Sequence, residues 1–237
     1  ASWCRMAEHP RDLGDDIGGY DLQPMRVFRY DADSSDVKCD STLFPMADVS
    51  ATGIFKLKRA TAEARARAVA AIVSNDDPWL VWCDTDEEQN ALERVLGHKF
   101  ISVRGSLPID EKEKRIVSWM NGDKPGMISK SSIMGYGLNC QFCWQQVFVG
   151  RSFSYESYYQ SVRRSWRFGQ THPVDIHLVV AEGEDCIGRV IDRKADDHAQ
   201  MKREMSRAMK RAIGIESMVR VKYSPSFNGR LPRWLSA

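Results

Sequence analysis

The chain has 237 residues, of which 43% are hydrophobic and 28% are charged, and its formal net charge is +2. This length and composition allow one large domain with a sizeable core, or one domain with extensions. The near-neutral charge excludes a histone-like polycation but is compatible with a local basic groove. No apolar run approaches the ~18–20 residues of a membrane span, and the polar, acidic N-terminus does not resemble a signal peptide.

Six cysteines are present, and their irregular spacing indicates a reducing cytoplasm rather than a disulfide framework. Cys140 and Cys143 form a single CxxC pair, whereas a zinc site of this kind needs a second pair of ligands. His172 and His177 are not spaced to supply it. We therefore expect ordinary structural thiols, no metal site, a cytoplasmic location and no membrane partner.

Residues 1–58 are rich in turn signals and are predicted to form an N-terminal extension with one short strand from Met25 to Tyr30. The following Ala- and Arg-rich stretch, from Arg59 to Val73, lacks glycine and proline and favours a helix.

From Trp79 onward, short apolar strands alternate with amphipathic helices. The predicted strands span residues 79–83, 100–103, 126–129, 146–149 and 174–180, and the predicted helices span 85–97, 108–120 and 154–167. This alternation is typical of an α/β fold with a parallel sheet that helices cover on both faces. Ligand sites in such sheets lie at the carboxyl ends of the strands, so we expect the loops after residues 83, 103, 129 and 149 at one edge.

The C-terminal part is predicted to contain a long helix from Glu184 to Ile213, followed by a basic and aromatic tail. The predicted organisation therefore has an extension at residues 1–58, an α/β domain at residues 59–182, and a helical and basic segment at residues 183–237.

The segment QSVRRSWRFGQ, residues 160–170, concentrates basic side chains. On a helix, Gln160, Arg164 and Arg167 share a face because residues three and four apart are neighbours. Two guanidiniums held side by side suit a polyanion, since each offers permanently charged, planar donors to phosphate oxygens. A solvent-exposed basic helix face is the alternative interpretation.

The segment SKSSIMGYGLN, residues 129–139, follows a buried strand. Its glycines could bring backbone N–H groups close to an anion or a nucleic-acid backbone. A glycine-containing turn in a crossover connection is the alternative interpretation.

In this order, the segments resemble the C-terminal RecA-like lobe of superfamily 2 helicases and DNA translocases, in the Swi/Snf-like branch of the DEAD/DEAH type. QSVRRSWRFGQ fits the family's motif VI, Q-x-x-x-R-x-x-R-x-G-Q, and SKSSIMGYGLN is similar to motif V. LVWCD and ISVRGSLPID resemble motif IV and the segment that follows it. HPRDLG, YDLQPM and RLPRWL are similar to segments of phage and prophage helicases, and the resemblance covers most of the chain.

The resemblance implies a role for each motif. Arg167 would be the arginine finger that reaches the γ-phosphate of ATP bound by another lobe, and Arg164 would support it. The remaining residues implied to support the ATP site are Gln160, Gln170, Gly135, Gly137 and Asn139. The residues implied to contact a nucleic-acid backbone, with DNA expected, are Arg104, Gly105, Ser106, Lys130 and Ser131. Ile133 and Met134 depart from the family's pattern, which usually has small residues at these positions.

No GxxxxGKS/T segment occurs in the chain, so there is no P-loop. We expect the Mg-ATP cradle on an N-terminal RecA-like lobe outside this sequence, in agreement with the absence of an initiating Met. The expected function is the second motor lobe of an ATP-dependent DNA helicase or translocase. The chain alone is predicted to hydrolyse no ATP.

Two other function classes remain open from the residues. A RecA-like domain could bind DNA or a protein partner without ATP, through the basic helix at 184–213 and the aromatic tail. A small-molecule enzyme on a doubly wound sheet is less favoured, because it would need a nucleophile, a base or a dinucleotide fingerprint, and we find none.

Overall fold

The computed structural model of the protein describes residues 21–33, 51–74, 76–134, 138–181 and 184–213. These residues form six strands and seven helices. The strands are β1 (Met25–Asp31), β2 (Trp79–Cys83), β3 (Phe100–Val103), β4 (Gly126–Lys130), β5 (Gln145–Phe148) and β6 (Val174–Val180). The helices are α1 (Ala51–Ala60), α2 (Ala62–Ile72), α3 (Asp86–Leu96), α4 (Ile109–Met120), α5 (Ser131–Met134), α6 (Tyr155–Val162) and α7 (Asp185–Ile213).

The strands form a single sheet in the order β1-β6-β5-β2-β4-β3. Every pair of neighbours is parallel, and β2 lies between β4 and β5, with Trp79 opposite both Gly126 and Gln145. Because all strands run in one direction, their carboxyl ends lie at one edge of the sheet. The predicted α/β fold with a parallel sheet flanked by helices is confirmed, and the loops after β2, β3, β4 and β5 share that edge as expected.

The core lies on both faces of the sheet, and β2 shows how the sequence divides it. Trp79, Val81 and Cys83 pack with the apolar faces of α2 and α3. Leu80 and Trp82 point to the opposite face, where side chains of α4, α5 and α6 surround them. All five residues of β2 are buried, which explains why the strand is a continuous apolar run rather than an alternating one.

Helix α3 begins where the sequence predicts a capping box. The Thr85 hydroxyl accepts a hydrogen bond from the Glu88 amide, and the Glu88 carboxylate accepts one from the Thr85 amide. These bonds pair two backbone donors that would otherwise lack partners at the helix start. The helix ends at Gly97, whose φ of 58° lies in the left-handed region.

The predicted strand of the N-terminal extension is part of the main sheet. The Arg26 guanidinium donates two hydrogen bonds, of 2.6 and 2.8 Å, to the Asp175 carboxylate on β6. The Trp166 indole donates to the Gln23 carbonyl just before β1, at 2.7 Å. The edge strand is thus joined to the domain by side chains as well as by the ladder.

The helix predicted from Arg59 to Val73 is wrong in its bounds, because α1 begins earlier and a break at Thr61 separates it from α2. At the break the Arg65 guanidinium donates to the Lys58 carbonyl at 2.6 Å, so a side chain binds a carbonyl that would otherwise serve the helix ladder. The predicted domain boundaries at 58/59 and 182/183 stay predictions.

The chain divides into two compact units, Gly18–Ala199 and Ala1–Ile17 with Gln200–Ala237. The sheet lies in the first unit. Of the second, the structure describes residues 200–213, the C-terminal part of α7, where the Gln200 amide donates to the Glu204 carboxylate. In the part of the chain that the structure describes, no helix is both long and apolar enough to cross a membrane.

Candidate functional site

The arginine-rich segment does not continue helix α6, which corrects the sequence prediction. The helix ends at Val162, and Arg164 and Arg167 lie in the tight turns that follow it. The amides of Arg164 and Ser165 bond to carbonyls three residues back, which is the tightening that ends many helices. Gly169, with φ of 87°, then reverses the chain towards β6. The two arginines are therefore held by turns rather than by one helix face.

Arg164 is anchored by its own side chain. Its guanidinium donates to the Gln160 carbonyl at 3.0 Å, to the Gln160 side-chain oxygen at 3.2 Å and to the Leu138 carbonyl at 3.1 Å. The Arg164 carbonyl in turn accepts a hydrogen bond from the Cys140 amide at 3.0 Å. Arg164 thus joins the segment of motif VI to the end of the motif V loop, and Gln160 orients it.

Arg167 has different surroundings. Its side chain is half-buried, yet it makes no hydrogen bond or ion pair with the residues that the structure describes. Burial raises the pKa of the Cys140 thiol to about 12, against the opposing influence of the positive charges of Arg164 and Arg167. The charges of both arginines thus act on Cys140, and the described residues do not use the donors of the Arg167 guanidinium.

The buried side chain of Gln170 stabilises the turn that contains Arg164 and Arg167. It is 5% exposed, and its amide nitrogen donates to the Gln141 carbonyl at 2.8 Å. Its side-chain oxygen accepts from the amides of Thr171 and His172, at 2.9 and 3.0 Å. Because a buried polar group must find partners, this set of bonds holds the turn and the 141–143 segment together.

Asn139 and Gln141 form a second set of hydrogen bonds between the end of the motif V loop and the arginine turn. The Asn139 amide donates to the Gln141 side-chain oxygen at 3.0 Å, and the Gln141 amide donates to the Phe168 carbonyl. Asn139 is thus connected to the arginine turn through Gln141. Gly135 and Gly137, which the resemblance also assigns to this site, lie outside the described residues.

Cys140 and Cys143 are both buried, and neither is in a disulfide. The Cys143 thiol donates to the Pro78 carbonyl at 3.2 Å, and burial raises its pKa far above the ordinary value. The pair packs in the core under the arginine turn. Among the described residues no cluster of three or more His, Cys, Asp or Glu side chains could hold a metal ion.

The residues predicted to contact nucleic acid lie together at the carboxyl edge of the sheet. Arg104, Gly105 and Ser106 follow β3, and Lys130 and Ser131 end and follow the neighbouring strand β4. The two loops approach each other, since a Cβ on Gly105 would lie 3.5 Å from the Ile133 side chain.

Both cations of this group already have carboxylate partners. Arg104 bonds to Glu93 through two nitrogens, at 2.8 and 2.5 Å, and Lys130 lies 2.9 Å from Asp86. Hydrogen bonding to Lys130 lowers the pKa of Asp86. Burial alone would raise the pKa of Glu93, but hydrogen bonds from Arg104 and Ser102 hold it below its ordinary value. A phosphate bound here would have to compete with these carboxylates.

Sequence reasoning missed a buried charge cluster that supports the same edge. Arg65 is fully buried, pairs with Glu88 at 2.7 Å, and donates to the Val149 carbonyl at 2.5 Å. Lys58 pairs with Asp84 at 2.7 Å and donates to the Arg151 carbonyl at 2.6 Å. An arginine in an Ala-rich helix commonly faces solvent, and only the apolar neighbours of Arg65 in EARARAVAA could have indicated its burial. Lys58 lies before that stretch, at the end of the predicted extension.

Comparisons with known proteins agree with this architecture. Residues 64–169 match the family model described as the helicase conserved C-terminal domain. No curated protein sequence matches the chain.

Two solved structures resemble it. One is the C-terminal part of the Fun30 ATPase domain, with 21% identity over 54% of this chain and a TM-score of 0.49. The other is a DEAD box protein from the hyperthermophile Methanococcus jannaschii, with 20% identity over 55% of this chain and a TM-score of 0.48. The alignments span 45% and 36% of those two chains. The similarity to phage and prophage helicases stays a prediction.

The family match begins in α2 and ends at Gly169, so it contains both the motif V and the motif VI segments. Over these residues the chain is similar to the helicase conserved C-terminal domain, as the order of its motifs predicted.

Proposed function

We propose that this domain is the second motor lobe of an ATP-dependent nucleic-acid helicase or translocase. In this proposal Arg167 extends to the γ-phosphate of ATP bound by a P-loop lobe, and Arg164 and Gln170 hold Arg167 in position. The carboxyl edge of the sheet provides part of the track for a nucleic-acid backbone, with DNA as the expected partner.

The contrast between the two arginines carries the proposal. The Arg164 guanidinium donates three hydrogen bonds inside the domain, whereas the Arg167 guanidinium has no partner among the described residues. A guanidinium that makes no bond within its own domain keeps all its charged donors for an anionic ligand outside it. Arg167 is thus the group suited to act outside the domain.

The arginines of this domain fit one part of a nucleotide, its γ-phosphate. A guanidinium matches the geometry and charge of phosphate oxygens. ATP would supply the phosphoryl group and the free energy of its hydrolysis, and an arginine finger can contribute ~10³–10⁵ in rate in related NTPases. The P-loop lobe is the expected holder of Mg²⁺ and of the remaining phosphates.

In the proposed nucleic-acid track, serine hydroxyls and a lysine that can release its carboxylate partner bind the backbone phosphates. Ser106 is exposed and Ser131 is half-buried, and both can donate to phosphate oxygens. The carboxylate that pairs with Lys130 belongs to Asp86, whose side chain is 72% exposed. Because the Asp86 carboxylate reaches solvent, it can be hydrated when a phosphate takes its place on Lys130.

The test compares ATP hydrolysis by this chain alone with hydrolysis by the complete protein. We expect no steady-state turnover from the chain alone, and turnover stimulated by nucleic acid from the protein that includes a P-loop lobe. A complete protein that binds DNA but hydrolyses no ATP would identify a non-catalytic binding module instead. Turnover by the chain alone that Arg167→Ala abolishes would also contradict the proposal.

A further inference from the structure

A cavity of about 60 Å³ lies at the carboxyl ends of the three central strands β2, β4 and β5. Its volume is far below the ~300–1,000 Å³ of pockets that enclose a whole small molecule. It could hold a group as small as a phosphate. The lining residues that matter here are Asp84, Lys130, Ser131, Arg151, Ser152 and Ser154.

The charged side chains that line the cavity differ in their partners. Lys130 is paired with Asp86, and the Asp84 carboxylate is paired at 2.7 Å with Lys58, which is 2% exposed. Arg151 makes no side-chain hydrogen bond or ion pair with the described residues, and its guanidinium carbon lies 5.6 Å from the centre of the Tyr158 ring. Burial lowers the pKa of Arg151, against the opposing influence of Tyr158, Asp192 and Glu184. Among the charged side chains that line the cavity, Arg151 is thus the one without an ion pair to a described residue.

The serines beside Arg151 keep hydrogen-bond donors for a ligand. The Ser152 hydroxyl oxygen accepts from the Ser154 amide, and the Ser154 hydroxyl oxygen accepts from the Ser157 amide, each at 3.2 Å. A hydroxyl has one proton to donate besides the lone pairs that accept. Both protons therefore remain available to an anion in the cavity.

The buried side chains of Lys58 and Arg65 hold the loop that carries Arg151 in place. The Arg151 carbonyl accepts from Lys58 at 2.6 Å, and the preceding Val149 carbonyl accepts from Arg65 at 2.5 Å. Gly150 packs directly on Glu88, because a Cβ at this position would lie 2.3 Å from the carboxylate. The donors of the loop are thus preorganised, which lowers the cost of binding.

We propose that this cavity binds one phosphate group of a nucleic-acid backbone, and that Arg151, with Ser152 and Ser154, is a binding group in addition to those in the motifs. The inference rests on the proposed function and extends its track from the loops after β3 and β4 to the loop after β5. Phosphate and hydroxyl contacts of this kind position a strand without reading its sequence.

The test measures the affinity of the purified protein for a single-stranded DNA oligonucleotide by fluorescence anisotropy over a range of salt concentrations. Each phosphate contact with a single strand contributes about −0.7 to the slope of log K against log salt. We expect Arg151→Ala to weaken binding equally for different sequences and to reduce the slope by about that amount. Arg67→Ala is the matched control, because Arg67 is exposed on α2 and its side chain makes no hydrogen bond or ion pair with the described residues.

The outcomes separate this inference from the proposed function. If Arg151→Ala keeps the unmodified slope while Lys130→Ala lowers it, the cavity is not part of the track, although the track itself stands. If the unmodified protein shows no salt-dependent binding, both are wrong. If Arg151→Ala abolishes binding of inorganic phosphate, measured by NMR chemical shifts, but leaves oligonucleotide binding unchanged, the cavity takes free phosphate and the backbone assignment fails.

Discussion

At the scale of single residues, Arg164 and Arg167 are only three positions apart but have different surroundings. The guanidinium of Arg164 bonds to Gln160 and to the Leu138 carbonyl, so this side chain holds two loops together. Arg167 contributes no such bond within the described residues. Replacing either arginine should therefore have a different effect on the free energy of unfolding, although both belong to the same sequence motif.

We expect Arg164→Ala to lower the free energy of unfolding by about 1–3 kcal/mol, because it leaves the Leu138 carbonyl and the Gln160 side chain without their charged donor. Arg167→Ala should change it by less than ~0.5 kcal/mol, since no bond within the domain is lost. Urea denaturation followed by tryptophan fluorescence measures both. Equal destabilisation by the two substitutions would show that Arg167 is also structural.

The candidate residues of this site could be predicted from the sequence, but their backbone conformation and their contacts could not. The motif spacing predicted Arg164, Arg167 and Gln170 as site residues because the order of residues is itself the signal, and their roles stay predictions. The helix end at Val162 was missed because SVRRSW has no glycine or proline to end a helix. The bonds of Gln170 to the 141–143 segment depend on tertiary contacts that no local pattern encodes.

At the scale of elements, edge strand β1 is held in place through His177 on β6. The imidazole lies against the rings of Phe28, Tyr30 and Trp79, with centroids 5.3, 5.6 and 5.3 Å away. Its two nitrogens lie 3.2 Å from the Tyr30 hydroxyl and 2.9 Å from the Gln145 side-chain oxygen. The ring therefore connects β1, β5 and β2 from its position on β6.

This environment predicts a pH dependence of stability. Burial lowers the pKa of His177, so the folded state binds the proton less strongly than the unfolded state does. The free energy of unfolding should then fall as the pH drops below the unfolded pKa of ~6.5 and towards the lower folded pKa. His177→Gln should remove this component, which urea denaturation at pH 7.5 and 5.5 would detect. An equal pH dependence in the two proteins would contradict the prediction.

At the scale of the whole molecule, most of the sheet could be predicted because each strand is a short apolar run between turn signals. The predicted bounds of β2, β3 and β6 were correct, and those of β4 and β5 differed by one residue. The strand order was not predicted, since it depends on which faces the helices cover. The division of the Ala-rich helix at Thr61 was missed because it depends on the buried Arg65.

The central claim concerns the whole protein, because Arg167 is proposed to act on a nucleotide held by another lobe. The most direct measurement compares ATP turnover and DNA affinity for Arg167→Ala in the complete protein. Arg163→Ala is the control, since its guanidinium lies over the Trp166 ring at 5.4 Å in the same turn. The account predicts that Arg167→Ala lowers kcat by about 10³-fold or more and leaves the Kd for DNA nearly unchanged, whereas Arg163→Ala retains most of kcat. A parallel loss of kcat and DNA affinity, or full activity without Arg167, would contradict it.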